Sequence, residues 1–169
     1  MDSYRVLIVD DEEMVRNFLV SVLFKQGQNC QTARDGLEAL EKIKNSSFDA
    51  VVTDIVMPHM DGITLTKEMV KLYPDLPILV MTGHAEEYSA KSAIAAGARE
   101  FIRKPFSLHE FIIRFDKMMR DHEALWKIKE KYNKMLFNLQ RNSSEEIERL
   151  KDQINTFGGR WSYFYDPND

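Results

Sequence analysis

Five short apolar runs alternate with amphipathic segments along the first 120 residues of the chain. Apolar runs of this length, bounded by turn residues, are typical of strands buried on both faces of a parallel sheet. The segments between them repeat apolar residues at helical spacing, and Gly27, Pro74 and Gly97 follow three of them as stop signals. Strands alternating with helices predict an α/β fold with right-handed crossovers and helices on both faces of the sheet. The predicted strands are residues 5–9, 28–33, 48–53, 77–81 and 100–102.

Polar side chains stand at the carboxyl ends of four predicted strands. Asp10 and Asp11 follow the first strand, Asp54 the third, Thr82 the fourth and Lys104 the fifth. Ligands of open α/β sheets bind at this edge, so we expect these side chains to converge if the first strand is central. Crowded carboxylates favour a hard divalent cation such as Mg²⁺. A lysine and a threonine hydroxyl beside them can hold a phosphoryl group, with Asp54 as the nucleophile that forms a mixed anhydride.

Each of these residues also has an ordinary structural interpretation. The acidic pair can cap the helix that follows it, because carboxylates complement the positive end of a helix dipole. Asp54 can form a turn, and Lys104 can be a solvated surface lysine. The complete set, supplied by four different strands in the order acid, acid, hydroxyl, amine, is a much more specific pattern and favours phosphoryl chemistry.

Composition limits the class of protein. The chain of 169 residues has a net charge of −4, which gives no general attraction to nucleic acid or to anionic membranes. Cys30 is the single cysteine, so no intrachain disulfide can form. No apolar run is long enough to span a bilayer, and the first residues lack the features of a signal peptide. These properties predict a soluble cytoplasmic protein.

Five short motifs surround the strand ends: Val9-Asp10-Asp11, Asp54-Ile55-Val56-Met57-Pro58, Asp61-Gly62, Met81-Thr82-Gly83 and Lys104-Pro105-Phe106. With these motifs, the chain from about Tyr4 to Arg120 resembles the response-regulator receiver domain of two-component signalling. The resemblance implies a flavodoxin-like, five-stranded parallel sheet with strand order 2-1-3-4-5, occupying residues 1–120.

The resemblance also implies roles for the strand-end residues. Asp54 would accept a phosphoryl group from a sensor histidine kinase or a phosphotransfer protein, and Lys104 would pair with the phosphoryl oxygens. The bond between Lys104 and Pro105 would be cis. The implied ligands of Mg²⁺, or of Mn²⁺, are Asp11 and Asp54 directly, Asp10 through water, and the backbone carbonyl of Val56.

A conformational switch is implied by the same resemblance. Thr82 would move toward the phosphoryl oxygens, and Phe101 would fill the space it leaves. Many members of the family carry tyrosine at this position, whereas Phe101 has no hydroxyl. Phe101 can equally be a permanent core residue.

Val56 and His84 would flank the site. Val56 cannot orient an attacking water and His84 could, although His84 can also be an exposed loop residue.

Residues 121–169 form an extension beyond the receiver domain, with apolar residues on a seven-residue frame. This repeat predicts a long helix or an imperfect coiled coil. Ser143 and Glu146 form a capping box that predicts the start of a second helix, and Gly158-Gly159 predicts its end. One interpretation is a long helix that forms a homodimer, and the other is a helical hairpin that folds back on the receiver. We favour the homodimer, because so short a segment cannot bury a core of its own.

Two other properties of the extension bear on partners. Its middle is basic, but no helix-turn-helix pattern is present, so DNA binding is unsupported. The tail from Arg160 to Pro167 is rich in aromatic residues, and we expect it to dock onto a partner chain or the parent fold.

Three functions follow from these patterns. The favoured function is a phospho-accepting switch that acts through protein–protein contacts and is not a conventional enzyme. The second is a Mg²⁺-dependent phosphohydrolase with an aspartate nucleophile, although such enzymes place that residue after the first strand. The third is a dimerisation module in which phosphorylation is vestigial, which the complete set of site residues argues against.

Overall fold

The computed structural model describes residues 3–83 and 90–161, with side chains for 3–83 and 90–153. Five parallel strands form one sheet in the order β2-β1-β3-β4-β5, which confirms the predicted flavodoxin-like fold. The first strand is therefore next to the third, as convergence of the strand-end residues requires. The strands are β1 Arg5–Val9, β2 Asn29–Ala33, β3 Ala50–Asp54, β4 Ile78–Thr82 and β5 Glu100–Arg103.

Five helices connect or follow the strands: α1 Glu13–Lys25, α2 Gly36–Asn45, α3 Gly62–Leu72, α4 Ala90–Ala96 and α5 Leu108–Trp161. Two of them begin at aspartates whose side chains accept backbone N–H groups of the first turn. Asp35 caps α2 by accepting from the amide of Glu38, and Asp61 caps α3 by accepting from the amide of Thr64.

Both faces of the sheet are covered by helices. Alternate residues of β1 point to opposite faces, so Val6 and Ile8 pack with α1 and α5, whereas Leu7 and Val9 pack with α2, α3 and α4. Every residue of β3 and β4 is buried for this reason. The continuous apolar runs of the sequence reflect this double burial.

The chain divides into two units, which we call the sheet unit (Met1–His122) and the extension unit (Glu123–Asp169). Helix α5 is continuous through residues 142–146, so the prediction of a new helix at Ser143 is wrong. Ser144 donates its hydroxyl hydrogen bond to the carbonyl of Gln140, one turn back, and Arg141 pairs with Glu145 across the same segment. These helical interactions replace the extended backbone that a capping box needs.

Two further predictions for the extension are corrected by the course of α5. Gly158 and Gly159 do not end the helix, which runs to Trp161, because glycine weakens a helix without excluding it. The helical-hairpin interpretation needs a break in the helix, and none occurs within residues 108–161.

The aromatic tail from residue 162 onward lies outside the described residues. In the described part of the chain, no helix is both long and apolar enough to cross a membrane.

Candidate functional site

Lys104, Asp10 and Asp54 meet at the carboxyl edge of the sheet. The ammonium nitrogen of Lys104 lies 2.8 Å from Oδ2 of Asp10 and 3.1 Å from Oδ1 of Asp54. Asp10 is fully buried, and the side chains of Asp54 and Lys104 are 10% and 20% exposed. The structure therefore brings together the ends of β1 and β3 and the loop after β5, as the strand-end pattern predicts.

Asp54 is the least satisfied of these groups. Its Oδ1 is buried and has no hydrogen-bond partner among the described residues, although the Lys104 ammonium lies 3.1 Å away in an ion pair. Burial raises the pKa of the Asp54 carboxyl, Lys104 opposes this change, and the charge of Asp10 adds to it. A buried carboxylate oxygen without a donor can still accept a cation or an electrophile.

Lys104 remains an ammonium group in this setting. Burial alone would lower its pKa, but the hydrogen bond to Asp10 and the charges of Asp54 and Asp10 raise the pKa above its ordinary value. One ammonium facing two carboxylates leaves one negative charge in excess. A further cation would therefore neutralise the excess negative charge of the site.

The acidic pair after β1 serves two purposes. Oδ1 of Asp10 accepts a hydrogen bond from the amide of Glu12 at 2.9 Å, and Oδ2 accepts from Lys104. The Asp11 side chain is exposed, and Arg16 donates to the carbonyls of Asp10 and Asp11 at 2.7 and 3.0 Å. Asp10 thus stabilises the start of α1 and also belongs to the site.

The three carboxylates do not form a compact ligand set in this structure. Within residues 3–83 and 90–153, no group of three or more carboxylate, histidine or cysteine side chains is placed to hold a metal ion. The physical reason is the position of Lys104, which lies between Asp10 and Asp54, while Asp11 stays at the exposed rim. Two carboxylates and an excess negative charge nevertheless fit Mg²⁺, which is usually held by one or two carboxylates and keeps several waters.

A close backbone contact positions Asp54. A Cβ atom on Gly62 would lie 1.9 Å from the carbonyl oxygen of Asp54, so the start of α3 can approach β3 only because residue 62 is glycine. The amide of Gly62 donates to the carbonyl of Ile55 at 2.8 Å, and the amide of Ile55 donates to Met81 of β4 at 3.0 Å. Val56 follows with 39% of its surface exposed. The predicted turn at Asp61-Gly62 therefore holds the end of β3 in place.

The remaining predicted site residues lie at the ends of β4 and β5. Thr82 is fully buried, and its carbonyl accepts a hydrogen bond from the amide of Lys104 at 2.7 Å. Phe101 is buried among core residues on the α2–α4 side of the sheet, opposite Val80 of β4. The peptide bond between Lys104 and Pro105 is cis, as the resemblance implied. His84 lies outside the described residues.

One contact near the site was missed by the sequence reasoning. His59, in the loop after β3, has a left-handed backbone (φ 64°), and its Nδ1 lies 3.0 Å from Oδ2 of Asp35. The hydrogen bond from the amide of Glu38, helped by His59, lowers the pKa of the Asp35 carboxyl. The loop that follows Asp54 is thereby tied to the start of α2. The turn residues at Asp35-Gly36 were a visible signal, but nothing local identified a partner 24 positions away.

Comparison with known proteins identifies relatives of the sheet unit. The family model described as "Response regulator receiver domain" matches residues 6–116. Response regulator MprA from Mycobacterium sp. (strain KMS) is 38% identical over 116 residues, which are 69% of this chain and 50% of MprA. MprA from Mycobacterium tuberculosis (strain CDC 1551 / Oshkosh) is 36% identical over 118 residues, 70% of this chain and 51% of that protein. The chain thus spans about half the length of these curated relatives.

Solved structures show the same likeness. A response-regulator receiver domain protein from Clostridium thermocellum has a TM-score of 0.67 and 28% identity, covering 72% of this chain and 98% of that one. The beryllofluoride-activated NtrC4 receiver domain dimer has a TM-score of 0.66 and 36% identity, covering 70% and 98%. NtrX from Brucella abortus, solved with ADP, has a TM-score of 0.71 and 30% identity, covering 76% and 30%.

Proposed function

Because this chain belongs to the response-regulator receiver domain family, we propose that it is a phospho-accepting switch of a two-component system, with Asp54 as the acceptor. The observation that carries this proposal is the state of Oδ1 of Asp54. It is a buried carboxylate oxygen without a hydrogen bond, held beside a protonated lysine at the ligand-binding edge of the sheet. Such an atom is available to attack phosphorus, and the ammonium group stabilises the charge on the transferring oxygens.

The phosphoryl donor is a sensor histidine kinase or a phosphotransfer protein that carries a phosphohistidine. An Asp54 carboxylate oxygen forms the new bond to phosphorus while the bond between phosphorus and the donor imidazole breaks. The imidazole leaves with the bonding electrons and takes up a proton. Lys104 neutralises negative charge during the transfer, and the burial of Asp54 limits access of competing water. The chain in this role catalyses only its own phosphorylation and dephosphorylation.

Mg²⁺, or Mn²⁺, would be held by Asp54 and Asp11, with Asp10 and the carbonyl of Val56 nearby. When bound, the ion supplies positive charge that offsets the phosphoryl oxygens. The excess negative charge of the site supports this assignment. Asp10 serves mainly to hold Lys104 and the first turn of α1 in position.

The switch residues are Thr82 and Phe101. Thr82 stands at the end of β4, next in the sheet to the acceptor strand, where its hydroxyl can bind a phosphoryl oxygen after a small shift. Phe101 already lies inward in this structure, 7% exposed. We therefore assign its inward position to apolar burial, since phenylalanine has no hydroxyl to bind a partner.

The phosphohydrolase alternative would need a free nucleophile at the end of β1. Both carboxylate oxygens of Asp10 are engaged, one by the amide of Glu12 and one by Lys104. Asp54 on β3 has the available oxygen instead, which favours stoichiometric phosphoryl acceptance over turnover.

Phosphoryl acceptance can be tested by incubating the chain with acetyl phosphate and Mg²⁺ and measuring intact mass. We expect a gain of one phosphoryl group that is absent in Asp54→Asn. Asp116→Asn, which removes an exposed carboxylate of α5, is the matched control and should be modified like the wild type. Modification that persists in Asp54→Asn, or repeated turnover of a phosphate ester, would contradict the proposal.

A further inference from the structure

The extension unit carries a row of exposed apolar side chains along α5. Each is between 47% and 66% exposed, although residues of these types are normally buried. A row of this kind on one helix marks a surface that packs against another chain or element. Leu136 flanks the row, whereas Phe137 lies on the opposite side of the helix. The row, which we call the α5 stripe, consists of Leu125, Ile128, Tyr132, Met135, Leu139, Ile147 and Leu150.

The spacing of the α5 stripe is that of a two-helix coiled coil with one irregularity. From Leu125 to Leu139 the steps alternate between three and four residues, which is the spacing of core positions in a coiled coil. Two steps of four follow, through Ser143 to Ile147, after which the alternation resumes. In the sequence, Ile154 and Phe157 continue it.

The order of these steps is the same in both directions along the helix. Arg141 is the midpoint, and the intervals from Leu139 back to Leu125 repeat from Ser143 onward to Phe157. A second copy running in the opposite direction, related by a two-fold axis at the level of Arg141, therefore matches every step, with Leu139 opposite Ser143 at the centre. Such a copy pairs Tyr132 with Leu150 and Met135 with Ile147. A two-fold interface of this kind uses the same surface on both chains.

Charge distinguishes this arrangement from a parallel one. The charged residues around the first half of the stripe are mainly basic, and those around the second half are mainly acidic. A parallel pair would place basic against basic and acidic against acidic, whereas an antiparallel pair places each half against its opposite. The basic residues are Lys127, Lys129, Lys131, Lys134 and Arg141, with Glu123 and Glu130 among them, and the acidic ones are Glu145, Glu146, Glu148 and Asp152, with Arg149 and Lys151 among them.

We propose that the α5 stripe binds a second copy of this chain, with the two helices antiparallel and the two-fold axis at the level of Arg141. The paired segment from residue 125 to residue 157 is roughly 50 Å long at the helical rise per residue. This pairing covers apolar side chains that the single chain leaves exposed. It depends on the extension unit alone and not on phosphoryl transfer at Asp54.

The direction of the helices can be measured with spin labels on the full-length chain. Cys30 is replaced by alanine so that each variant has one thiol, and a nitroxide is attached at Lys127→Cys or Arg141→Cys. In the antiparallel dimer the two copies of residue 127 lie about 42 Å apart along the helix axes, because 28 residues separate 127 from its counterpart. The two copies of residue 141 lie at the level of the axis, on the outer faces of the two helices, and give the same distance in either orientation.

A distance at residue 127 that is much longer than the distance at residue 141 supports the proposal. Equal distances at residues 127 and 141 would establish a parallel pair in register and overturn it. Absence of dipolar coupling at residue 141, with a monomer in sedimentation, would also overturn it.

A charge placed in the stripe should abolish self-association. We expect Ile128→Asp to sediment as a monomer at concentrations where the wild type is dimeric, because the new carboxylate would be buried in the interface. Asn133→Asp, which adds the same charge off the stripe, should remain dimeric. Both variants should keep the urea unfolding curve of the wild-type sheet unit, showing that this unit is folded. Dimerisation of Ile128→Asp equal to that of the control would refute the assigned surface.

Discussion

The two parts of helix α5 use similar residues for different purposes. In the sheet unit, Phe111, Phe115, Met118 and Met119 are at most 3% exposed and pack against the sheet and α1. In the extension unit, Leu125 and Ile128 are 57% and 66% exposed. Residue type and helical periodicity alone do not separate the two parts.

The neighbouring sequence distinguishes them. The first part follows a strand whose apolar side chains need a cover, and its phenylalanine rings stack on each other with centroids 6.2 Å apart. The second part contains no element other than α5 within the residues that the structure describes. An apolar stripe therefore becomes core where the same chain supplies the opposing surface, and becomes an interface where another chain must supply it.

Large-to-small substitution in each part would test this contrast most strongly. Phe111→Ala removes a fully buried ring and should lower the free energy of unfolding of the sheet unit by about 3–5 kcal/mol. Leu125→Ala should change that free energy by less than about 0.5 kcal/mol, because its side chain is exposed in the single chain. Urea unfolding at a concentration where the protein is monomeric measures both. Comparable losses would mean that residue 125 belongs to the core.

A substitution at Gly62 tests how tightly the sheet unit is built around Asp54. Gly62→Ala would force backbone atoms apart at a point where its Cβ has no room, and we expect a loss of about 2–3 kcal/mol together with loss of phosphoryl uptake. Gly83→Ala is the matched control, since among the described residues the nearest atom to its Cβ would be the Lys104 side chain at an ordinary 3.9 Å. Unfolding curves and intact mass after acetyl phosphate treatment report the two effects. Normal phosphoryl uptake by Gly62→Ala would contradict the tight positioning.

The pH dependence of stability tests the electrostatic side of the same site with a smaller effect. Burial raises the pKa of Asp54 above its ordinary value of 3.8, so the folded state holds this proton more tightly than the unfolded state. Above the raised pKa the buried charge therefore destabilises the fold, and stability is regained as the pH falls toward 3.8. Asp54→Asn should be modestly more stable than the wild type near pH 7, and this advantage should shrink in acid.

Urea unfolding of both proteins from neutral pH to pH 3, without divalent cations, measures this difference. Asp116→Asn, at an exposed position, should show no comparable trend. A wild type more stable than Asp54→Asn at neutral pH would mean that the attraction to Lys104 outweighs the burial of Asp54.

Much of the fold of the sheet unit could be predicted because its strands and helices follow from local sequence patterns. The run Ala50–Thr53 is apolar in the manner of a strand covered on both sides, and Asp54 ends it. Convergence of Asp10, Asp54 and Lys104 followed from the rule that strand ends share one edge of a parallel sheet. Only the strand order needed to be known, and the family resemblance supplied it.

The incorrect or missing predictions concern interactions that local sequence does not specify. Three carboxylates could be expected to cluster, but the order of strand ends does not say that Lys104 lies between two of them. The capping box at Ser143 is a local signal that competes with the pairing of Arg141 and Glu145, and the helix prevailed. The contact between His59 and Asp35 joins distant segments and has no sequence signature.

Position 62 also has an evolutionary consequence. Every amino acid other than glycine carries a Cβ, and that atom alone meets the carbonyl oxygen of Asp54 at 1.9 Å. Gly62 therefore cannot be replaced by another residue through single, nearly neutral mutations while Asp54 stays in place. Exposed positions of the extension unit outside the α5 stripe can change one residue at a time, whereas Gly62 and β3 can only change together.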